Sequence, residues 1–149
     1  MHRVTKTYGH DLGLSAVFRQ WRADSHCRYL HGYALSFEFE FEAKELDRNG
    51  WVIDFGSMKE IKQKLVDHFD HKLLIAGDDP ELERLLLLDE VIGVADVIIM
   101  SAVGCEAFAQ LAGFWVQRWL TLAPDRQRVR LVRVTVREHG ANAASYYPE

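Results

Sequence analysis

The sequence predicts an α+β domain in which an antiparallel sheet carries two main helices on one face. Three observations predict it. Leu35, Phe37, Phe39 and Phe41 alternate with Ser36, Glu38, Glu40 and Glu42, the period of two that marks a half-buried antiparallel strand. Two later stretches, one starting at Ser57 and one at Cys105, carry apolar residues at helical period. Strand patterns then return near the end of the chain, so the order is two long strands, two main helices and two terminal strands.

Taken in order, residues 3–20 read as one extended segment broken by Gly9 and Gly13, with Leu12, Leu14 and Ala16 in partial alternation. Glycines inside such a pattern mark a bulge or a twist. A polar loop, Gln20 to His26, leads into Cys27-Arg28-Tyr29-Leu30-His31-Gly32-Tyr33 and the strand at 34–42, which should pair with its predecessor as a long hairpin. Asp47-Arg48-Asn49-Gly50 is a turn. Trp51 to Phe55 reads as a short strand, and Asp54 at its end suits a turn or capping role. Ser57 and Glu60 fit a capping box for a helix whose stripe is Met58, Ile61, Leu65 and Phe69, leaving Asp70 and His71 just past its last turn.

Gly77 to Pro80 is a second turn, Leu82 to Leu88 a short helix expected to pack on the sheet, and Val94 to Met100 a short strand. The second main helix, Cys105 to Leu122, should bury Phe108, Leu111, Ala112, Trp115 and Trp119, with Pro124 helping to end it. Val129 to Val136 is a strand with Val132, Val134 and Val136 on one face, and Ala143 to Tyr147 pairs back on it.

At 149 residues the chain is expected to be one domain, 1–149, large enough to bury a core without staples. A formal charge of -4 gives no reason to expect nucleic acid or an acidic membrane as partner. The late arginines are interleaved with apolar residues and read as the wet face of a strand. Two cysteines make no disulfide framework, and no apolar run is long enough to span a bilayer, so a reducing, cytoplasmic setting is expected.

Several residues could carry chemistry. Cys27 is a nucleophile or base if an imidazole such as His26 or His31 lies near, and a small buried hydrophobe otherwise. Asp70-His71 is either a carboxylate orienting an imidazole or a histidine set against a helix C-terminus. Glu138 could grip an amino-heterocycle or simply be solvated. Cys105 reads as core. For a metal, His31 alone is a seed, because His31-Gly32-Tyr33 puts a phenol where a second imidazole would complete a zinc pair. His10 and His26 are the histidines left to complete such a site.

The run Cys27-x-x-x-His31-Gly32, the segment Gly50-Trp51-Val52-Ile53-Asp54-Phe55, Asp70-His71, Glu106 and Glu138 occur in the order of one family. The sequence resembles the 6-pyruvoyltetrahydropterin synthase superfamily, and within it the bacterial 6-carboxytetrahydropterin synthases. The resemblance implies a tunnelling fold that oligomerises through its sheets, usually as a hexamer, with active sites between subunits. It implies action on 7,8-dihydroneopterin triphosphate, releasing acetaldehyde and triphosphate to give 6-carboxytetrahydropterin on the route to queuosine. By position Cys27 is the proton-abstracting thiol, Asp70 and His71 its acid-base partners, and Glu138 and Glu106 the pterin carboxylates. The family's zinc ligands fall at Phe18, His31 and Tyr33, of which only His31 is a histidine. That departure opens two alternatives: a zinc-free paralogue with a different pterin or purine-like ligand, in which Arg19 or Arg28 supplies the missing charge, or a non-catalytic oligomeric binding protein.

Overall fold

The computed structural model describes residues 1–149. Its strands are β1 (His2–Tyr8), β2 (Leu14–Phe18), β3 (His31–Ala43), β4 (Lys72–Ala76), β5 (Val97–Met100), β6 (Arg130–His139) and β7 (Asn142–Tyr146). Its helices are α1 (Lys59–Phe69), α2 (Leu82–Glu90) and α3 (Cys105–Thr121).

β3 is the spine. Its start pairs antiparallel with β2, Phe18 opposite His31 and Leu14 opposite Leu35, while its second half pairs with β1. The segment read as one strand is therefore two, parted by a 3-10 turn at His10–Leu12 and by Gly13, whose φ of 74° only glycine adopts at little cost. β6 lies along the other edge of β3, with β7 beyond it. On the far side of β2 the chain adds β4 and then β5, both parallel.

The sheet is thus mixed, which corrects the all-antiparallel expectation. The missed strand is β4. Leu73 to Ala76 is apolar throughout and wholly buried, so it shows no alternation, as is usual for parallel strands covered on both faces.

Both main helices cover one face of the sheet, as expected. Leu35, Phe37, Phe39 and Phe41 are fully buried against Ile61, Leu65 and Phe69 of α1 and Phe108, Ala112 and Val116 of α3. Phe69 sits at the junction, its ring 4.9 Å from Phe37 and 5.1 Å from Phe108. Each such side chain contributes about 1.5–3 kcal/mol by leaving water. Leu111 and Trp115 stay half-buried, because the buried line of α3 runs through Phe108, Ala112, Val116 and Trp119.

A bulge corrects the reading of β6. Glu40 pairs with Arg133 but Phe41 pairs with Leu131, so Val132 is the extra residue and Leu131 takes the buried place. The opposite face of the sheet is charged. Arg3 and Arg130 both hydrogen-bond the Glu42 carboxylate, at 3.0 and 2.8 Å, and Arg133 reaches Glu38 and Glu40. Arg130 and Arg133 therefore lie on a wet strand face and are matched by its acids, whereas Arg126 and Arg128 precede β6 and donate to the Trp119, Glu45 and Trp51 carbonyls.

Three local expectations give way. Residues 51–55 form no strand: Val52 and Ile53 are buried without ladder partners, and a 3-10 turn, Phe55–Met58, follows. Ser57 does not cap α1; its hydroxyl donates to the Asp54 carbonyl at 2.6 Å, while the Asp54 carboxylate accepts from the Gly56 amide at 2.8 Å. The cap thus serves the 3-10 turn, and its residue is Asp54. Finally, α2 forms but buries no residue, leaving Leu87, Val91 and Ile92 exposed rather than packed on the sheet.

Candidate functional site

One end of β3 gathers most of the singled-out residues. Because β2 and β3 pair with Phe18 opposite His31, and Tyr33 lies two residues on, the three positions converge on the helix-covered side. Their rings are packed: Phe18 is 5.6 Å from His31 and 6.1 Å from Tyr33, and His31 is 5.5 Å from Tyr33. Gly32 lets the strands approach, since a Cβ there would stand 3.0 Å from the Ala16 carbonyl oxygen and 3.2 Å from Val17.

Cys27 sits in a 3-10 turn, His26–Arg28, at the mouth of this hairpin. Its amide donates to the Ser25 hydroxyl at 3.3 Å, and its carbonyl accepts from the Gln20 amide at 2.9 Å. The loop is pinned from outside. The Gln20 side chain donates to the Val103 carbonyl at 2.8 Å, just before α3. Arg19 forms a two-pronged pair with Asp79, at 2.8 and 2.6 Å, whose carboxylate is 1% exposed. That pairing holds the Asp79 carboxyl below its usual range and commits Arg19, so it is not free to act as a cation toward a ligand. Arg28 is likewise engaged, with the Asp24 carbonyl and the Tyr29 hydroxyl, each at 2.9 Å.

Glu138 ends β6 and Glu106 opens α3, and both act on Cys105. Burial pushes that thiol up to about 12, with the charges of Glu138 and then Glu106 adding to it, so Cys105 is an inert core thiol as read. Burial also raises the Tyr33 phenol, and Glu138, Cys27 and Cys105 push it the same way. Tyr33 thus lies within electrostatic range of Cys27, Cys105 and Glu138, and Cys105 within range of Glu138 and Glu106, while the His139 ring stands 5.9 Å from Tyr33. Along the sheet Glu38, Glu40 and Glu42 are paired with arginines, whereas Glu106 and Glu138 have no ion-pair partner.

Asp70 and His71 lie elsewhere. The Asp70 carboxylate accepts from His71 Nδ1 at 2.8 Å and from the Ser15 amide at 3.2 Å, and the His71 amide donates to the Ser15 carbonyl at 2.6 Å. His71 adopts a φ of 58°, a left-handed conformation that a residue with a side chain rarely takes. Its side chain is 84% exposed. Ser15 and Gln20 are five residues apart in sequence. The pair thus lies beside the start of β2, whereas the Cys27 loop is tied to Gln20, beyond the other end of that strand. Cys27 and His71 are not brought together within one subunit.

The donors at the three family zinc positions are a phenyl, an imidazole and a neutral phenol. Zinc sites take three or more nitrogen, sulfur or oxygen ligands, and this set does not fit one. No group of three His, Cys, Asp or Glu elsewhere is placed to hold a metal ion. His10 hydrogen-bonds the Ala34 carbonyl at 2.5 Å through Nδ1 and His26 lies in the Cys27 turn, and neither stands in a group of three such side chains.

Sequence reasoning missed Gln20, Asp79 and His139 as supports of this mouth. Their partners are Val103, Arg19 and Tyr33, far off in the chain, and no local pattern marks such pairs.

A mixed sheet with helices on one face and open at both edges is an α+β architecture, in keeping with the tunnelling fold that the resemblance implies. The family described as 6-pyruvoyl tetrahydropterin synthase matches residues 10–149, and the chain belongs to it. A 6-carboxy-5,6,7,8-tetrahydropterin synthase of Rickettsia felis is 34% identical over 83 residues, 55% of this chain and 57% of that protein. The chain thus matches little more than half the length of such curated relatives. One from Aquifex aeolicus is 26% identical over 99% of the chain and 91% of that protein. Among solved structures, an uncharacterized protein of Wolinella succinogenes superposes with a TM-score of 0.76 at 20% identity, over 99% of this chain and 98% of that one. The Plasmodium falciparum 6-pyruvoyl tetrahydropterin synthase gives 0.69 at 15%, over 99% and 97%. No helix is long and apolar enough to cross a membrane.

Proposed function

We propose that this chain is a pterin-pathway lyase of the 6-carboxytetrahydropterin synthase type, acting on 7,8-dihydroneopterin triphosphate or a related pterin. The observation that carries the reading is the start of β3, where the charges of Glu138 and Glu106 act on Cys105, those of Glu138 and Cys27 act on Tyr33, and neither carboxylate has an ion-pair partner. Two carboxylates facing a ligand suit the amino edge of a pterin, each accepting hydrogen bonds from ring N–H groups. Cys27 takes a proton from the ligand's side chain, and His71, oriented by Asp70, returns one.

Because Cys27 and His71 sit at opposite ends of β2, the acid-base pair is completed by a second copy of the chain. The exposed imidazole and its strained backbone favour that arrangement, as does apolar surface beside the Cys27 loop. There Tyr29 and Leu30 meet Leu85, Leu87, Leu88 and Ile92 of the α2 region in a groove of about 470 Å³. The open edges of β1, β5 and β7 offer further contact surface, in keeping with a homo-oligomer, a hexamer by family expectation. A place on a route to 7-deazapurines is what the same resemblance implies, and a reducing, cytoplasmic setting is in keeping with the two free cysteines.

The test is to incubate the protein with 7,8-dihydroneopterin triphosphate and look for acetaldehyde and 6-carboxytetrahydropterin. Cys27→Ala should bind pterin and lose turnover. Mixed assembly of Cys27→Ala with His71→Ala subunits should recover activity that neither has alone; no recovery would sink the shared site. Absence of any pterin affinity would favour a non-catalytic binding protein. A second reading, a zinc-free paralogue with another reaction on a pterin or purine-like ligand, is favoured by the aromatic rings at the zinc positions. Pterin binding without acetaldehyde release would select it.

A further inference from the structure

We propose that this chain holds its ligand without a bound zinc ion, and that the Tyr33 hydroxyl makes the polar contact to the ligand's side-chain oxygens in its place. The inference rests on the pterin reading above and adds to it the way the ligand's side chain is held.

The zinc positions are filled, not merely changed. Phe18 is 1% exposed and its ring meets Phe108 edge-on at 5.2 Å, so it belongs to the core and offers no lone pair. His31 directs Nδ1 at the Tyr29 carbonyl, 2.6 Å away. A carbonyl only accepts, so Nδ1 carries the proton and Nε2 is the free lone pair. That leaves a single nitrogen ligand where a tetrahedral site needs several. A relative could rebuild the site with a displaced histidine. Here neither His10 nor His26 joins His31 in a group of three ligating side chains.

Tyr33 has the opposite character. It is half-buried, braced by His31 at 5.5 Å and His139 at 5.9 Å, and its hydroxyl has no hydrogen-bond partner in the chain. A braced phenol facing a site with both a donor and an acceptor capacity suits a ligand oxygen. It carries no charge, so it orients an oxygen but polarises it far less than a metal ion.

Two measurements on the untagged full chain test this. The first is zinc content by elemental mass spectrometry after dialysis against zinc. Essentially no zinc per chain is expected; near-stoichiometric zinc that disappears in His31→Ala would overturn the proposal. The second is neopterin binding by fluorescence in wild type and Tyr33→Phe, with thermal melts to confirm folding. Loss of one such hydrogen bond should weaken binding about tenfold. Unchanged affinity in Tyr33→Phe would overturn the role of Tyr33. If wild type binds no neopterin, the pterin reading itself fails and takes the role of Tyr33 with it, while the zinc measurement still decides the metal question.

Discussion

The two ends of β2 are built by opposite means. At the Phe18 end the chain packs a site from within: Phe18, His31, Tyr33 and His139 brace one another, and Arg19, Asp79 and Gln20 pin the Cys27 loop over them. At the Ser15 end it presents a side chain to solvent, with His71 in a left-handed conformation, 84% exposed and tied only to Asp70 and Ser15. A residue that shapes a pocket is held by packing on several sides. A residue meant for a neighbour is held by its backbone and left open. On the proposed reading, substitutions in the packed rings of the first end should act chiefly on stability and binding, and substitution of the His71 side chain chiefly on turnover.

The largest expected effect tests the open end. His71→Ala should lower turnover by about 10²–10⁴-fold, the usual worth of a positioned acid-base group. Its urea midpoint should stay close to wild type, since an exposed side chain contributes little to stability. A large loss of stability with modest loss of rate would mean that the corner is structural.

Next is the packed end. Phe18→Ala removes a fully buried ring from contact with Phe108, His31 and Tyr33, and should cost about 3–5 kcal/mol in equilibrium unfolding. A cost below about 1 kcal/mol would show an open, collapsible pocket, and a metal site there would deserve reconsideration.

How far these two ends could be read from sequence follows from the same contrast. The β3 alternation, the α1 stripe, the existence of α3 with Phe108, Ala112 and Trp119 buried, and the position of Asp70-His71 past a helix end depend on neighbours a few residues apart, and these are found in the structure, while Leu111 and Trp115 are only half-buried. β4 was hidden because an apolar run has no period to read, and the Val132 bulge because a strand pattern cannot show an extra residue. At the site, Cys27, Glu106 and Glu138 were legible as residue types in a family order. That Phe18 and Tyr33 become one packed aromatic group, and that Arg19 is spent on Asp79, depends on contacts between distant elements.

A smaller effect separates backbone from side chain at the open end. His71→Gly relieves the left-handed strain, worth about 1–2 kcal/mol, but loses the Asp70 contact and gains unfolded-state freedom. It should therefore be more stable than His71→Ala by about 1 kcal/mol while being equally inactive. Equal stabilities would mean that His71 is not strained.

The smallest effect concerns His68, which lies one turn before His71 yet faces inward. Its ring packs 4.8 Å from Phe69 and 5.3 Å from Trp115, and its Nε2 is buried without a partner. Burial, and then the charge of Lys72, hold its pKa below the ordinary histidine value. The unfolded chain thus takes up a proton near pH ~6.5 that the folded chain refuses. Stability from this group is present above that pH and falls as pH drops through it, by at most ~1.4 kcal/mol per pH unit. His68→Leu should flatten the change in urea midpoint between about pH 7.5 and about pH 5.5 and leave turnover intact. If His68→Leu instead lowers turnover as His71→Ala does, the two histidines act together and the division between a packed end and a presenting end fails at this helix terminus.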